Sequence, residues 1–165
     1  MAELLVAHTF ESLEEGRSFQ QWPLHAILAP WFTIDSADEV MHDLGILAEH
    51  QQPIDVIIGM QVSFGKMSRK QRQQNAQMIE PNLELQELHD GLIAVVKRHG
   101  TLRSVNNIGE GYNPHVRQQG AKILRPGNVL QIDSMSLIEA QAANFNNAEK
   151  TVLKNYSFSS HETTN

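Results

Sequence analysis

The sequence predicts an α+β protein of two lobes, in which two mostly antiparallel sheets each carry a helix around a central cleft. Two observations predict this arrangement. First, short segments with the alternating pattern of β-strands precede and follow each of two segments with helical periodicity. Second, a histidine lies near the start of one predicted strand in each half of the chain. The 165 residues, 41% of them apolar, suit a single domain over residues 1–165 with pseudo-two-fold organisation.

The first half of the chain contains three predicted strands and one helix. The helix begins after Ser36, which has Glu39 three residues later as in a capping box, and Pro53 ends it. Its apolar residues recur at helical spacing, whereas the segment after Pro53 is rich in β-branched residues. In order, we predict an edge strand at Leu4–His8, a strand at Trp22–Phe32, the helix at Ala37–His50 and a strand at Ile54–Phe64.

The second half contains a further helix, which is the most regular element of the sequence. Asn82 is its predicted N-cap and Gly100 follows its last turn. Its apolar stripe consists of Leu85, Leu88, Leu92, Val95 and Val96. Around it we predict strands at Ala76–Glu80, at a short segment opened by His115, at Val129–Ala140 and at Glu149–Phe158, with a long loop at Thr101–Asn113.

The composition excludes several classes of function. The chain has no cysteine, which removes disulfides, thiolate catalysis and cysteine-ligated zinc. A net charge of -6 argues against binding of nucleic acids or anionic membranes through a broad positive field, so any phosphate site has to be local. The sequence contains no run of about 18 apolar residues and no signal-peptide pattern, and we therefore expect a cytoplasmic protein without membrane contact.

Charge is unevenly distributed along the chain. The first 49 residues contain nine acidic side chains and one basic one, Arg17, whereas basic residues cluster at Lys66–Arg72 and recur between Lys97 and Arg125. Both basic segments are compatible with a phosphate-binding surface and with a solvated loop or helix end, and the sequence leaves this open.

Two histidines are the candidate catalytic residues. With a period of two, His25 shares one face of its strand with Ile27, while its apolar neighbours point to the other face. A single histidine on an apolar strand is more often structural than catalytic. However, His115 opens a second extended segment 90 positions later and shares a face with Arg117. Two such histidines are the parts needed to hold one acid and one base across a cleft.

These segments resemble the two-histidine (2H) phosphoesterase superfamily, specifically its bacterial 2'-5' RNA ligase and cyclic phosphodiesterase group. Members carry two copies of the pattern apolar, His, apolar, Thr or Ser, apolar. The resemblance covers most of the chain, and it depends on Leu24-His25-Ala26-Ile27-Leu28, Pro114-His115-Val116-Arg117-Gln118, the flanking Trp22-Pro23 and Pro30-Trp31-Phe32, and Ile79-Glu80-Pro81-Asn82.

The sequence departs from the family pattern at both hydroxyl positions. Ile27 and Arg117 replace the Thr or Ser whose hydroxyls donate hydrogen bonds to phosphate in the family. Ile27 removes one donor outright, whereas Arg117 offers a charged donor from the same strand face.

The resemblance implies acid/base chemistry at a phosphodiester with no metal and no cofactor. His25 and His115 would act as the catalytic pair, on a 2',3'-cyclic phosphate or on 2'-5' linked RNA or nucleotide ends. Arg117 and Tyr112 would bind the substrate. Which histidine is the acid, whether hydrolysis or ligation is the reaction, and the oligomeric state are left open by the sequence.

Two other interpretations remain open on the sequence. In the first, Ile27 has impaired catalysis, and the cleft binds a nucleotide or RNA end through His115, Arg117, Tyr112 and the Lys66–Arg72 segment without turnover. In the second, the protein is a small interaction domain whose histidines are merely packed, with its tryptophans in the core.

Overall fold

A computed structural model of the chain describes residues 3–62, 76–117, 124–140 and 149–159. The predicted Lys66–Arg72 cluster lies outside these ranges. The helices are α1 (Ala37–Glu49) and α2 (Leu83–His99), and a short 3₁₀ turn spans Gly109–Gly111. The strands are β1 (Glu3–Thr9), β2 (Ser18–Phe19), β3 (His25–Ile34), β4 (Ile54–Val62), β5 (Ala76–Ile79), β6 (Gly100–Leu102), β7 (His115–Arg117), β8 (Val129–Ile132), β9 (Ser134–Ala140) and β10 (Lys150–Ser157).

The strands pair antiparallel in the order β2-β10-β9-β1-β3-β7-β5-β4-β8, and β6 also pairs with β3. The predicted α+β class with antiparallel pairing is therefore confirmed. The two strands that begin with a histidine, β3 and β7, are neighbours in the middle of this order. This pair joins the strands into one continuous hydrogen-bonded order, whereas the sequence predicts two sheets. The division into two lobes stays a prediction.

The two faces of the sheet are covered differently. Buried residues of both helices, such as Leu44 and Leu92, pack with Ala26 and Leu28 of β3 in the main core. A smaller cluster contains Leu5, Ala7, Leu13, Ile138 and Val152, with Phe19, Trp22, Ile27 and Trp31 partly buried against it. Since neighbouring residues of a strand point to opposite faces, the helices lie on one face and Ile27 points to the other.

Helix α2 begins and ends as the sequence predicts. The Asn82 side chain accepts a hydrogen bond from the backbone N–H of Leu85 at 3.0 Å, which satisfies one of the otherwise unpaired donors of the first turn. At the other end, a side chain at Gly100 would collide with the Thr33 carbonyl oxygen. Glycine at this position therefore permits the close approach of β6 to β3.

The predicted single strand Val129–Ala140 is wrong, because the chain breaks at Asp133. β8 pairs with β4 near one end of the strand order, whereas β9 pairs with β1 and β10 near the other end. The Asp133 carbonyl accepts a hydrogen bond from Phe158 at 2.9 Å at the transition. The core-facing positions change parity at this break, from Leu130 and Ile132 to Met135 and Leu137. The prediction of one strand overlooked this interruption of the alternation.

Other local predictions also need correction. The strand predicted at the sheet edge, Leu4–His8, is the interior strand β1, which pairs on both sides, as its nearly continuous apolar run suits. Ser36 makes no side-chain hydrogen bond at the start of α1. Part of the predicted loop Thr101–Asn113 forms β6 and the 3₁₀ turn. No described helix has both the length and the apolar character needed to cross a membrane.

Candidate active site

His25 is held at the first position of β3 by two contacts. Its Nδ1 lies 2.8 Å from the Pro23 carbonyl oxygen, and its ring stacks on Trp22 with centroids 4.1 Å apart and planes at 21°. Because a carbonyl only accepts hydrogen bonds, the proton of the neutral ring lies on Nδ1 and the lone pair on Nε2. The residue is 3% exposed. Because the Pro23 carbonyl occupies Nδ1, Nε2 is the ring nitrogen left for proton transfer.

His115 repeats this geometry at the first position of β7. Its Nδ1 lies 2.8 Å from the Asn113 carbonyl oxygen, again two residues earlier in the chain. The neutral ring therefore has the same tautomer as His25, with the lone pair on Nε2. The repeated contact means that the two imidazoles are oriented in the same way by their own strands.

The register between β3 and β7 brings the two segments together. His25 is opposite Arg117 and Ala26 is opposite Val116. The same register, continued by one residue, places Ile27 opposite His115. Since alternate residues share a face, His25, Ile27, His115 and Arg117 form a two-by-two patch on the face opposite the helices. The two histidines are diagonal neighbours in it, with Cβ atoms separated by about 7 Å.

The structure thus collects three of the four predicted site residues, His25, His115 and Arg117, on one face of the sheet. Their placement on shared strand faces follows the period-two pattern of the sequence. Their catalytic and substrate-binding roles stay predictions at this point, because placement alone does not show chemistry.

Tyr112, the fourth predicted site residue, has different contacts. Its hydroxyl donates a hydrogen bond to the Ile27 carbonyl at 2.8 Å, and its ring stacks on His89 with centroids 3.8 Å apart and planes at 4°. Burial raises the pKa of the Tyr112 hydroxyl, so it stays protonated as a donor. These contacts tie the segment before β7 to β3 and indicate a positioning role. Substrate binding by Tyr112 stays a prediction.

His89 is a structural residue that supports this tie. Its Nδ1 lies 2.8 Å from the Leu28 carbonyl oxygen, and its Nε2 accepts a hydrogen bond from the Gly109 N–H at 3.0 Å. Both ring nitrogens are thus satisfied by backbone groups, and the ring is fully buried. His89 connects α2, β3 and the 3₁₀ turn, which together position the loop that delivers His115.

Arg117 supplies the charge of the patch. Its guanidinium is partly buried, and its Nε has no hydrogen-bond partner in the described part of the chain. Burial lowers the pKa of Arg117, which still leaves a cation at neutral pH. A buried N–H without an acceptor costs about 1–3 kcal/mol, and an anionic oxygen placed beside it would remove that penalty.

Both imidazoles of the patch are disfavoured as cations. Burial lowers the pKa of His25 to about 4, and the nearby cation Arg117 adds to this effect. Burial is also the largest cause that lowers the pKa of His115, again with a contribution from Arg117. The free site therefore holds two neutral imidazoles beside a cation. A bound anion would raise the pKa of both rings.

We expect the free energy of unfolding to fall as the pH is lowered from about 6.5 to about 4. In that window the unfolded chain binds a proton at His25 that the folded protein does not bind, so stability is lost with falling pH. The contribution of His25 amounts to about 3 kcal/mol. Urea unfolding at a series of pH values should show a shallower dependence in His25→Asn. An unchanged slope in this variant would contradict the lowered pKa.

Lys150 is a residue near the patch that sequence reasoning missed. It is fully buried, and its Nζ donates a hydrogen bond to the Gln20 carbonyl at 3.1 Å. The Nζ also lies 5.6 Å from the centroid of the Trp22 ring, which stacks on His25, and its charge contributes to lowering the pKa of His25. Lys150 lies two residues before the buried Val152, and strand alternation therefore predicts that its side chain points inward. The same alternation would predict an inward side chain for Lys154, which is half-exposed. A register shift between Val152 and Lys154 distinguishes the two lysines.

Replacing Lys150 with methionine is expected to raise the pKa of His25 above 4, since a neighbouring cation is removed while the apolar stem is kept. NMR titration of the imidazole Cε1 proton measures this pKa directly. Lys154→Met is the matched control, because it removes the same charge from the same strand at a half-exposed site. Equal His25 pKa values in the two variants would refute the electrostatic role of Lys150.

The described residues contain no group of three or more His, Cys, Asp or Glu side chains arranged to hold a metal ion. The expectations that no metal and no cofactor take part stay predictions.

Several solved structures share the α+β fold of this chain over nearly its whole length, and one of them is described as a phosphoesterase. A phosphoesterase crystal structure matches with a TM-score of 0.63 and 15% identity over 96% of this chain and 98% of that one. Escherichia coli LigT complexed with 3'-AMP matches with a TM-score of 0.59 and 16% identity, over 96% and 98%. A Thermus thermophilus protein matches with a TM-score of 0.61 and 17% identity, over 94% and 97%.

At these identities the similarity shows a shared fold. The resemblance predicted from the two histidine segments is confirmed at that level. No family model and no curated protein sequence matches the chain.

Proposed function

We propose that this protein is a phosphoesterase that uses His25 and His115 as an acid/base pair. Its substrate would be a nucleotide or RNA end with a 2',3'-cyclic phosphate or a 2'-5' linkage. The observation that carries the proposal is the two-by-two patch, in which both histidines have the same Nδ1–carbonyl contact and stand beside Arg117. Crystal structures of LigT, which shares the fold, contain 3'-AMP and phosphate.

Arg117 is the proposed binding group for the phosphate. It lies opposite His25 in the register, and its Nε is a buried donor without an acceptor in the described part of the chain. A guanidinium can donate two parallel hydrogen bonds to one phosphate, which a threonine or serine hydroxyl cannot. We infer that Arg117 compensates for part of the donor loss at Ile27.

The surroundings of the two rings suggest which one is the base. His25 is the more deeply buried ring and has the more strongly lowered pKa, so it stays neutral and can accept a proton at Nε2. His115 is partly exposed, and a bound phosphate diester would raise its pKa. We therefore assign the base to His25 and the acid to His115 in hydrolysis.

The proposed step is an in-line displacement at phosphorus. His25 takes a proton from water as the water oxygen bonds to phosphorus, and the bond from phosphorus to one ribose oxygen breaks. His115 donates its proton to that departing oxygen, which becomes a hydroxyl. The product is a phosphate monoester, and Arg117 balances the charge that develops on the non-bridging oxygens.

The direct test is incubation of the purified protein with a 2',3'-cyclic nucleotide in the presence of EDTA, followed by phosphorus NMR. The proposal expects a cyclic phosphate resonance to convert to that of a monoester. No conversion above the protein-free rate for any of the four nucleotides, nor for a 2'-5' linked dinucleotide, would reject it.

A second candidate is a protein that binds such ends without turnover. It is favoured by Ile27, which packs against an apolar cluster with Trp22 and Trp31 and has no hydroxyl to offer a phosphate. Saturable binding of 3'-AMP together with absent conversion would support this candidate over the first.

A further inference from the structure

An apolar groove lies immediately beside His115. It has a volume of about 810 Å³, within the range typical of small-molecule sites. Its wall includes Asn113 and Pro114, the two residues before His115, and also Met78, which is opposite His115 in the register of β5 and β7. The groove therefore adjoins the end of β7 at which His115 lies.

Two large, highly exposed apolar side chains line the groove. Met60 is 75% exposed and Leu83 is 74% exposed, and both line it. Exposed apolar residues that converge on one depression are typical of ligand sites. Methionine is flexible and its sulfur contacts aromatic rings favourably, so Met60 and Met78 suit a flat aromatic ligand.

Among the described residues that line this groove, Glu80 is the charged one. The register of β4 with β5 shifts between Ile58 and Gln61, and Gly59 lies within this irregular segment. A Cβ at Gly59 would be 3.3 Å from the Met78 carbonyl oxygen and 3.6 Å from the Glu80 Cγ. Glu80 therefore packs closely over Gly59 along the wall. Its carboxylate has no hydrogen bond or ion pair among the described residues.

We propose that this groove binds the base of the substrate nucleotide and that Glu80 selects guanine. The inference rests on the proposed function, since it takes the phosphate to lie at His25, His115 and Arg117. A carboxylate only accepts hydrogen bonds. Guanine is the base whose Watson–Crick edge presents two adjacent donors, N1–H and the 2-amino group, which match the two carboxylate oxygens.

The other bases fit this acceptor less well. Adenine and cytosine each place a ring-nitrogen acceptor next to their amino donor, and uracil places carbonyl acceptors on both sides of its N–H. Each would set a lone pair against the carboxylate. The expected selectivity is therefore for guanine over adenine, by about tenfold in affinity for a bidentate, charge-assisted pair.

The test compares 3'-GMP, 3'-IMP and 3'-AMP by isothermal titration calorimetry on the wild-type protein, Glu80→Gln and Glu84→Gln. Glu80 and Glu84 are both exposed, and each substitution removes one negative charge. Glu84 is the control because it does not line the groove. We expect 3'-GMP to bind about tenfold more tightly than 3'-AMP to the wild type and to Glu84→Gln. The preference should largely disappear in Glu80→Gln. Inosine lacks the 2-amino group and should bind with intermediate affinity.

Equal affinities for 3'-GMP and 3'-AMP in the wild type would overturn the proposal, as would a guanine preference that persists in Glu80→Gln. Because this measurement is of binding, its outcome is separate from that of the turnover assay. Turnover of cyclic nucleotides without a base preference would leave the proposed function intact and reject the guanine site. A guanine preference without turnover would support the guanine site and reject the proposed phosphoesterase activity.

Discussion

Replacing either His25 or His115 with alanine is expected to lower kcat for a 2',3'-cyclic nucleotide by about 10²–10⁴-fold, the usual contribution of one general acid or base. The reason is that each ring has a separate task, with Nε2 as the atom that accepts or donates the proton. Both Nε2 atoms are set by the same Nδ1 contact to a backbone carbonyl. Initial-rate measurements on the folded variants test this.

The two substitutions should also act as a unit. The kcat of the double variant should be little lower than that of the slower single variant, because the removal of either ring already stops concerted proton transfer. The wild type should give a bell-shaped dependence of rate on pH, and each single variant should lose one limb. His42→Ala is the control, since His42 is an exposed histidine on α1 and outside the patch. Rates equal to the wild type in both single variants would exclude the pair as catalysts.

Arg117→Met is expected to lower kcat/KM by about 10²–10³-fold, the scale observed when one donor to a developing oxyanion is removed. The effect should be greater than that of Arg117→Lys, which keeps the charge but loses the paired donors. The variant should remain folded, because the Nε that it removes has no hydrogen-bond partner in the described part of the chain. Steady-state kinetics and thermal unfolding together measure both expectations.

The same variant has a second readout that a structural role would not produce. Arg117 contributes to lowering the pKa of His25 and of His115, so its removal should raise the pKa of both rings in NMR titrations. Arg125→Met is a suitable control, because Arg125 is exposed in a turn outside the patch. A normal kcat/KM in Arg117→Met would show that the phosphate is held elsewhere.

Much of the site was predictable because it depends on local periodicity. The pairing of His25 with Ile27 on one face, and of His115 with Arg117, follows from the alternation of side chains along a strand. Helix α2 was also predictable, since its N-cap and its apolar stripe are both contained in one short segment. None of these features requires knowledge of what the segment packs against.

Predictions failed where a partner segment decides the outcome. The interior position of β1 depends on β3 and β9, and the break at Asp133 depends on where β8 and β9 pair. The difference between the buried Lys150 and the half-exposed Lys154 depends on a register shift against β9. A bulge of this kind reverses the face of every later residue, and the sequence of the strand shows no sign of it.

The amino-acid sequence determined which side chains share a strand face and where the helices lie, because those properties arise within a few consecutive residues. Only the tertiary structure decided that His25 stands opposite Arg117 and diagonal to His115, and that Tyr112 is tied to the Ile27 carbonyl. These relations join segments about 90 residues apart in the chain. They are set by hydrogen bonds between distant segments, within the sheet in the first case and from a side chain in the second, which no local pattern encodes.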